Sequence, residues 1–223
     1  MYCAVIGDII RSKEIKKRLA IQNKLEKILH EINLKYSGCI ASNFAITLGD
    51  EFQGLLRDTG NLMNIIEIIK FELFPVKIRF GVGIGQIYTK IDKNFPLGAD
   101  GPAYHNARKM IEEIRKLEKR KMRYVADIKI GLDENLPSES LINVSLSLCS
   151  FIEEKWTPRQ REIIYEFLMY ENNQITVAKK FGVSQSTVQR ILKSSGFYNY
   201  LYARNEISRY LNENIIGKGV WLC

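Results

Sequence analysis

The pattern of apolar and polar positions divides this chain into short strands and long two-sided helices. Residues 2–10 form a nearly continuous apolar run, the signature of a strand covered on both faces, and it carries one acid, Asp8. Helical spacing follows over 15–36, with Leu19, Leu25, Ile28, Leu29 and Ile32 on one side and Ser37-Gly38 at the end. CIASNFAITL and FQGLLRD, joined by Gly49-Asp50-Glu51, read as a hairpin. A helix over 61–74 stops at Pro75, and a strand over 76–89 carries Gly81, Gly83 and Gly85 in alternation. A Pro- and Gly-rich loop leads to a helix over 102–121, and RYVADIKIG supplies a closing strand.

Strand, helix, strand, strand, helix, strand is the order of the ferredoxin-like split βαβ unit, in which helices cover one face of an antiparallel sheet. Residues 1–133 are therefore expected to form an α+β domain of this type. Residues 134–155 read as a connector helix. It starts at Pro137 with a Ser-Glu-Ser cap, and Leu141, Val144, Leu148 and Phe151 are spaced for packing against both neighbours.

The pattern over 156–204 predicts an all-α helix-turn-helix reader of double-stranded DNA. Thr157-Pro158 starts a helix whose Ile163, Ile164, Phe167 and Leu168 share a face. After a polar break at Glu171-Asn172-Asn173, a short segment with Val177, Ala178 and Phe181 on one side ends at Gly182, where the chain can turn sharply. Ser184 caps the next helix, whose Val188, Ile191 and Leu192 point inward. Ser184, Gln185, Ser186, Thr187, Gln189, Arg190 and Lys193 are then the candidates for base edges and phosphates. Such readers work as dimers on paired half-sites, so a homodimer is expected, held by the connector helix or by the tail over 205–223.

Charge agrees with a polyanionic partner: the formal net charge is +8 and the isoelectric point about 9.2. Part of this charge sits outside the reader, in RKLEKRKMR over 115–123. No signal peptide or membrane span is expected; the apolar run over 65–73 is broken by Glu67, Lys70 and Glu72. Cys3, Cys39, Cys149 and Cys223 lack paired spacing and read as reduced thiols of a cytoplasmic protein.

The first domain gains chemical content from its acids. In a ferredoxin-like sheet the first strand lies beside the hairpin, which brings Asp8 near Asp50 and Glu51. Asp8 and Asp50 would hold a hard divalent ion such as Mg2+, which grips phosphate oxygens. Gly7 and Gly49 would let a phosphate approach the backbone, and Gly101-Pro102 beside His105 forms a helix start able to hold an anion. A nucleotide triphosphate is the expected guest. A second reading makes Asp8 a helix cap and Asp50-Glu51 ordinary turn acids.

Family resemblances sharpen this picture. VIGDII, TLGDEFQG, RFGVGIGQI and ADGPAYHNARKM resemble the palm domain of class III nucleotide cyclases and, more distantly, diguanylate cyclases. The resemblance implies metal roles for Asp8 and Asp50 and a phosphate-contacting Arg108; Glu51, Gly85 and His105 are further candidates for ligand contact. The chain departs from the cyclase pattern at Tyr104, where a cyclase has Asn, at Ile46, where it has the purine-reading Lys, and at Leu48, where diguanylate cyclases have Gly. Altered substrate choice or lost catalysis follows from those departures. WTPRQREI and GVSQSTVQR resemble the sigma-factor type of helix-turn-helix. Together with GDIIRSK, GDEFQGLL and GADGPAYHNAR they resemble the SatD family over almost the whole chain. The expected function is a DNA-binding regulator whose palm binds a nucleotide or metal-phosphate ligand, with a Mg2+-dependent nucleotidyl cyclase or nucleotidyltransferase as the alternative.

Overall fold

A computed structural model describes residues 1–120, 126–132, 136–169 and 173–216. Five strands, β1 (Tyr2–Ile9), β2 (Ile40–Leu48), β3 (Glu51–Leu56), β4 (Ile78–Gly85) and β5 (Ile128–Gly131), form one sheet in the order β2-β3-β1-β4-β5. The first four are antiparallel neighbours in the ferredoxin-like order, while β5 joins β4 in parallel. The molecule is thus mixed α+β.

Alternation along the strands gives the sheet two apolar faces. Cys3, Val5, Phe52, Leu56, Phe80 and Val82 pack with helices α1 (Arg18–Lys35) and α2 (Leu62–Leu73). Ala4, Ile6 and Leu55 pack instead with Ala103, Tyr104, Ala107 and Ile111 of α3 (Pro102–Lys119). The expectation that helices cover one face is therefore corrected: α3 lies on the opposite face. A parallel β4-to-β5 connection needs a crossover helix, and the glycines of β4 make room for it. Leu19, expected on the inner side of α1, is 69 % exposed, because the helix begins only at Arg18 and its first turn stands clear of the sheet.

Helix α4 (Pro137–Glu154) lies along the free edge of β5. Asn143 accepts from the Ile130 amide and donates to its carbonyl, both at 2.8 Å, and Glu139 accepts from Leu132 N–H at 2.8 Å. These side chains satisfy edge groups that a sixth strand would otherwise pair. The inward face of α4 is Ile142, Leu146, Cys149, Ser150 and Glu153, so the expected packing stripe Leu141, Val144, Leu148 and Phe151 points outward.

Helices α5 (Pro158–Met169), α6 (Gln174–Phe181), α7 (Gln185–Ser194) and α8 (Phe197–Leu211) surround a second apolar cluster centred on Trp156, Ile164, Phe167, Val188, Leu192 and Phe197. Thr157 and Gln160 cap α5 reciprocally: each backbone N–H donates to the other's side-chain oxygen. Helix α8 passes through residue 204 unbroken. Its first half packs in the second cluster, and Ile207 and Leu211 reach the sheet core. Tyr200 is buried and Tyr202 is exposed. Among the described residues no helix is long and apolar enough to cross a membrane. Cys3, Cys39 and Cys149 are free thiols, with burial pushing Cys149 up to about 11; Cys223 and the break at Glu171-Asn172 lie outside the described residues.

Candidate functional site

Strand register gathers the expected acids at one end of the sheet. Asp8 stands opposite Glu51 of β3 and, on its other side, opposite Arg79 of β4. Directly opposed side chains share a face, so Glu51, Asp8 and Arg79 form one row. Gly49, with φ of 44°, makes the hairpin turn, and the following Asp50 carbonyl accepts from Ile9 N–H at 3.0 Å. Arg11 adopts a left-handed φ of 53°, rare for a residue with a side chain, as the chain leaves β1. That turn brings buried Ser12 back so that its hydroxyl donates to Asp50 Oδ2 at 2.5 Å.

Arginines complete the cluster. Asp8 is 4 % exposed, and its Oδ2 accepts from Arg79 Nη1 at 2.5 Å and from Arg115 Nη2 and Nε at 3.0 and 3.2 Å. Arg79 also forks onto Glu118 at 2.9 and 2.5 Å. Burial works against the Arg79 charge, but the Glu118 and Asp8 carboxylates outweigh it and raise its pKa. Buried Glu51 accepts from Gln53 Nε2 at 3.3 Å, and its nearest cation, Arg108 Nη1, stands 4.0 Å away. Arg108 is half exposed and is the guanidinium least committed to an acid here.

The acids do not fit a resident divalent ion in this arrangement. A hard ion needs several unencumbered oxygens, whereas Asp8 is engaged by two guanidiniums and Asp50 by a hydroxyl. Among the described residues no three of His, Cys, Asp and Glu are grouped to hold a metal. What the cluster offers an anion is Arg108, a cation held only loosely by Glu51.

Two of the other expected contacts, Gly7 and Gly85, serve packing. A Cβ on Gly7 would stand 2.0 Å from the Phe52 ring, on the face away from Asp8, so this glycine makes room for an aromatic and not for phosphate. Gly85 is bare because Ala103 N and Pro102 Cβ would lie 2.8 Å from a Cβ there. His105 is in the first turn of α3, exposed and bonded to Asp100 at 2.8 Å. Ten residues of helix, about 15 Å, separate it from Arg115 beside Asp8, but only one turn separates it from Arg108 beside Glu51. Tyr104 is buried with its hydroxyl unpartnered, and burial raises its pKa. An open hollow lined by Lys90, Ile91, Asp92, Lys93, Leu97 and Gly98 lies on the loop beside β2 and not at the acids.

Sequence reasoning missed Arg79 and Arg115 as members of this site. A signal for Arg115 was present: it lies two turns after Arg108 and thus on the same side of one helix. Arg79 required the strand register.

A separate polar surface is built by α6 and α7. Asn173 caps α6 by accepting from Ile175 and Thr176 N–H, and Gly182 at φ 63° turns the chain into Ser184, which caps α7 through Thr187 N–H at 3.2 Å. Ser184 also meets the hydroxyls of Ser186 and Thr187 at 2.9 Å, so its oxygen is committed to the cap. Val188 and Leu192 are buried, which turns Gln185, Ser186, Gln189, Arg190 and Lys193 outward, with Thr187 half-buried. Gln185 Nε2 donates to Gln174 Oε1 at 2.7 Å, and Gln174 donates to the Tyr198 hydroxyl at 3.1 Å, so the first side chain of α7 is held in orientation.

Comparison with known proteins gives the following. A search of curated proteins finds no match. Among solved structures, a bacterial light-regulated adenylyl cyclase is 12 % identical, with a TM-score of 0.41 over 58 % of this chain and 74 % of that one. The guanylate cyclase domain of RhGC from Catenaria anguillulae, in complex with GTP, is 14 % identical, with a TM-score of 0.35 over 49 % and 71 %. A regulator of polyketide synthase expression from Bifidobacterium adolescentis is 13 % identical, with a TM-score of 0.28 over 95 % and 80 %. At such identities and scores no residue role passes from these proteins to this chain. The SatD family model, in contrast, matches residues 2–211, and the chain belongs to the SatD family.

Proposed function

We propose that this protein is a DNA-binding regulator in which α6 and α7 form a helix-turn-helix and the sheet domain takes a nucleotide or other phosphate ligand at the Asp50, Glu51 and Arg108 end. The observation that carries the DNA reading is the outer face of α7. It is a capped helix after a three-residue turn through left-handed Gly182, and it presents Gln185, Gln189, Arg190 and Lys193 to solvent. No described residue pairs with Arg190 or Lys193, so both retain their donors for DNA. Arginine and glutamine offer the paired donors and acceptors that guanine and adenine edges accept in the major groove.

The test is selection of duplexes from a random pool, followed by binding of the selected sequence in a salt series. We expect preference for the selected duplex over random DNA. Arg190→Ala should weaken that preference by about 1–3 kcal/mol, roughly ten- to a hundredfold, and relax it at one base position. Lys193→Ala should weaken binding to all duplexes alike and lower the salt slope by about one. Equal affinity for selected and random DNA would remove the reading.

For the sheet domain, the support is the gathering of Asp8, Asp50, Glu51 and Arg108 at one end, with Arg108 the loosest cation. Calorimetric titration with ATP and GTP, each with and without Mg2+, measures the ligand. Binding is expected without added Mg2+, and Arg108→Ala should weaken it at least tenfold, since charge-assisted phosphate bonds are the strong ones. Binding that requires Mg2+ and yields a cyclic or pyrophosphate-releasing product, lost in Asp50→Asn, would favour the nucleotidyltransferase alternative.

A further inference from the structure

Helix α4 is apolar on two opposite sides. Ile142, Leu146 and Cys149 face inward, while Leu141, Val144, Leu148 and Phe151 are 69, 55, 60 and 52 % exposed. A helix with apolar residues all round ordinarily has both sides covered. The outward aspect of the stripe is fixed by the fold. Glu139 and Asn143 tie one end of α4 to β5, and Ser150 and Glu153 tie the other to Asp127 and Lys70, which sets the rotation of the helix about its axis. Residues 140–152 contain no Asp, Glu, Lys or Arg, so no charge would have to be buried to cover this side. The apolar area on view is on the order of 400 Å2, at the upper end of what a monomer commonly exposes in one patch.

We propose that a second copy of this chain covers the stripe, the two α4 helices crossing antiparallel about a two-fold axis at the level of Leu146. The spacing 141, 144, 148, 151 alternates three and four residues, which is the seam of a helix pair. It is also symmetric about residue 146. In an antiparallel pair Leu141 meets the other copy's Phe151, and Val144 meets its Leu148, so one surface is complementary to itself, as a two-fold interface requires. Charge agrees with this orientation. Glu154, exposed and held by Lys77 at 3.0 Å, falls beside the other copy's α4 N-terminus, where the helix dipole favours an acid. Lys155 folds back over the Phe151 ring, 5.0 Å from its centre, and adds its stem to the apolar rim. Two such stripes, together with Ser140, Ser145 and the rim, approach the lower bound of roughly 1,000–1,200 Å2 expected for a specific interface. The dimer is therefore one that forms and separates with concentration.

Sedimentation velocity on the full chain from about 1 to about 100 µM tests this. We expect a monomer–dimer transition, abolished by Leu148→Glu; the position is exposed, so the variant should keep the parent's circular dichroism and melting temperature. Orientation is read by cross-linking. Val144→Cys and Leu148→Cys chains, separately tagged and mixed under oxidation, should link to each other and not to themselves, a result that stands even if Leu148→Glu fails to fold. A parent that stays monomeric over that range, a dimer that survives Leu148→Glu, or linkage of Leu148→Cys to itself would each overturn the proposal.

Discussion

Arg204→Met is expected to lower the unfolding free energy by about 3–5 kcal/mol, the cost of stranding a buried partner charge. Arg204 of α8 and Glu67 of α2 form an ion pair at 2.6 Å with both side chains 4 % exposed. Glu67 also accepts from the Tyr200 hydroxyl at 2.7 Å. Urea melts of the parent and the variant measure the loss. Adding Glu67→Gln should restore much of it, because the charge is then gone while an acceptor remains for Tyr200.

The pH dependence of the loss follows with a definite sign. Burial pushes the Glu67 carboxyl above its usual range; Arg204, then Tyr200, pull it back, and the net direction is upward. A carboxyl raised in the folded state holds its proton more tightly there than in the unfolded chain. Stability therefore falls as pH rises from the ordinary value to the raised one. Without Arg204 the raised value climbs further and this window widens. The Arg204→Met deficit should thus be smallest at pH values near the ordinary carboxyl range and grow as pH rises above it. A deficit that shrinks as pH rises would show that Glu67 is not the stranded charge.

The pair belongs to a larger buried junction. Lys70 of α2 contacts Asp127, meets Glu153 of α4 at 2.5 Å, and Glu153 in turn takes Arg161 of α5 at 2.9 Å. Burial opposes the Lys70 charge, but the two carboxylates outweigh it and raise its pKa, so the lysine stays charged. Through these bonds α2, which packs on the sheet, is tied to α4, α5 and α8. Phe71 of α2 stacking on Trp156 and Tyr165, and the Tyr165 hydroxyl donating to Glu72, add further links between the sheet side and the second cluster.

Gly83→Ala is the second large effect, about 3 kcal/mol or more of destabilisation. A Cβ at Gly83 would stand 2.0 Å from the Ala103 carbonyl oxygen and 2.3 Å from Ala107 N. Both are backbone atoms of α3, so no rotamer change relieves the clash and the helix must lift from β4. Arg108 and Arg115 are carried on the same helix, so nucleotide affinity should fall together with stability. Urea melts and the ATP titration, compared with Gly98→Ala, separate this from a general glycine effect. Gly98 has nothing within 4 Å of a Cβ but a φ of 94°, so its substitution reports backbone strain alone.

Several of these features were legible in the sequence. Thr157-Pro158, Gly182 and Ser184 are local devices, caps and a turn whose partners lie within a few residues, and they act where their spacing placed them. The meeting of Asp8 with Glu51 followed from hairpin order and strand adjacency. The charges Glu67, Lys70 and Glu72 were read only as breaks in an apolar run. Two of them, Glu67 and Lys70, sit one turn apart on α2 and face the buried junction. Charges at helical spacing within so apolar a helix called for partners, but those partners lie 57 to 137 residues away and no local pattern names them.

By itself the sequence determined the strands and the helices as far as α7, the caps and turns that bound those elements, and the polar face of α7, but not α8, which crosses the expected boundary at residue 204. Periodicity, side-chain capping and glycine conformation act over a few residues, so the local order of amino acids suffices for each. Only the tertiary structure decided that α3 covers the second face of the sheet, that Asp8 is closed by Arg79 and Arg115, that Gly7 and Gly85 accommodate packing, and that the outer stripe of α4 faces solvent. These depend on strand register and on the rotation of each helix about its axis. Both are set by many distant contacts at once, and the same amphipathic pattern is compatible with more than one such setting until the whole core is packed.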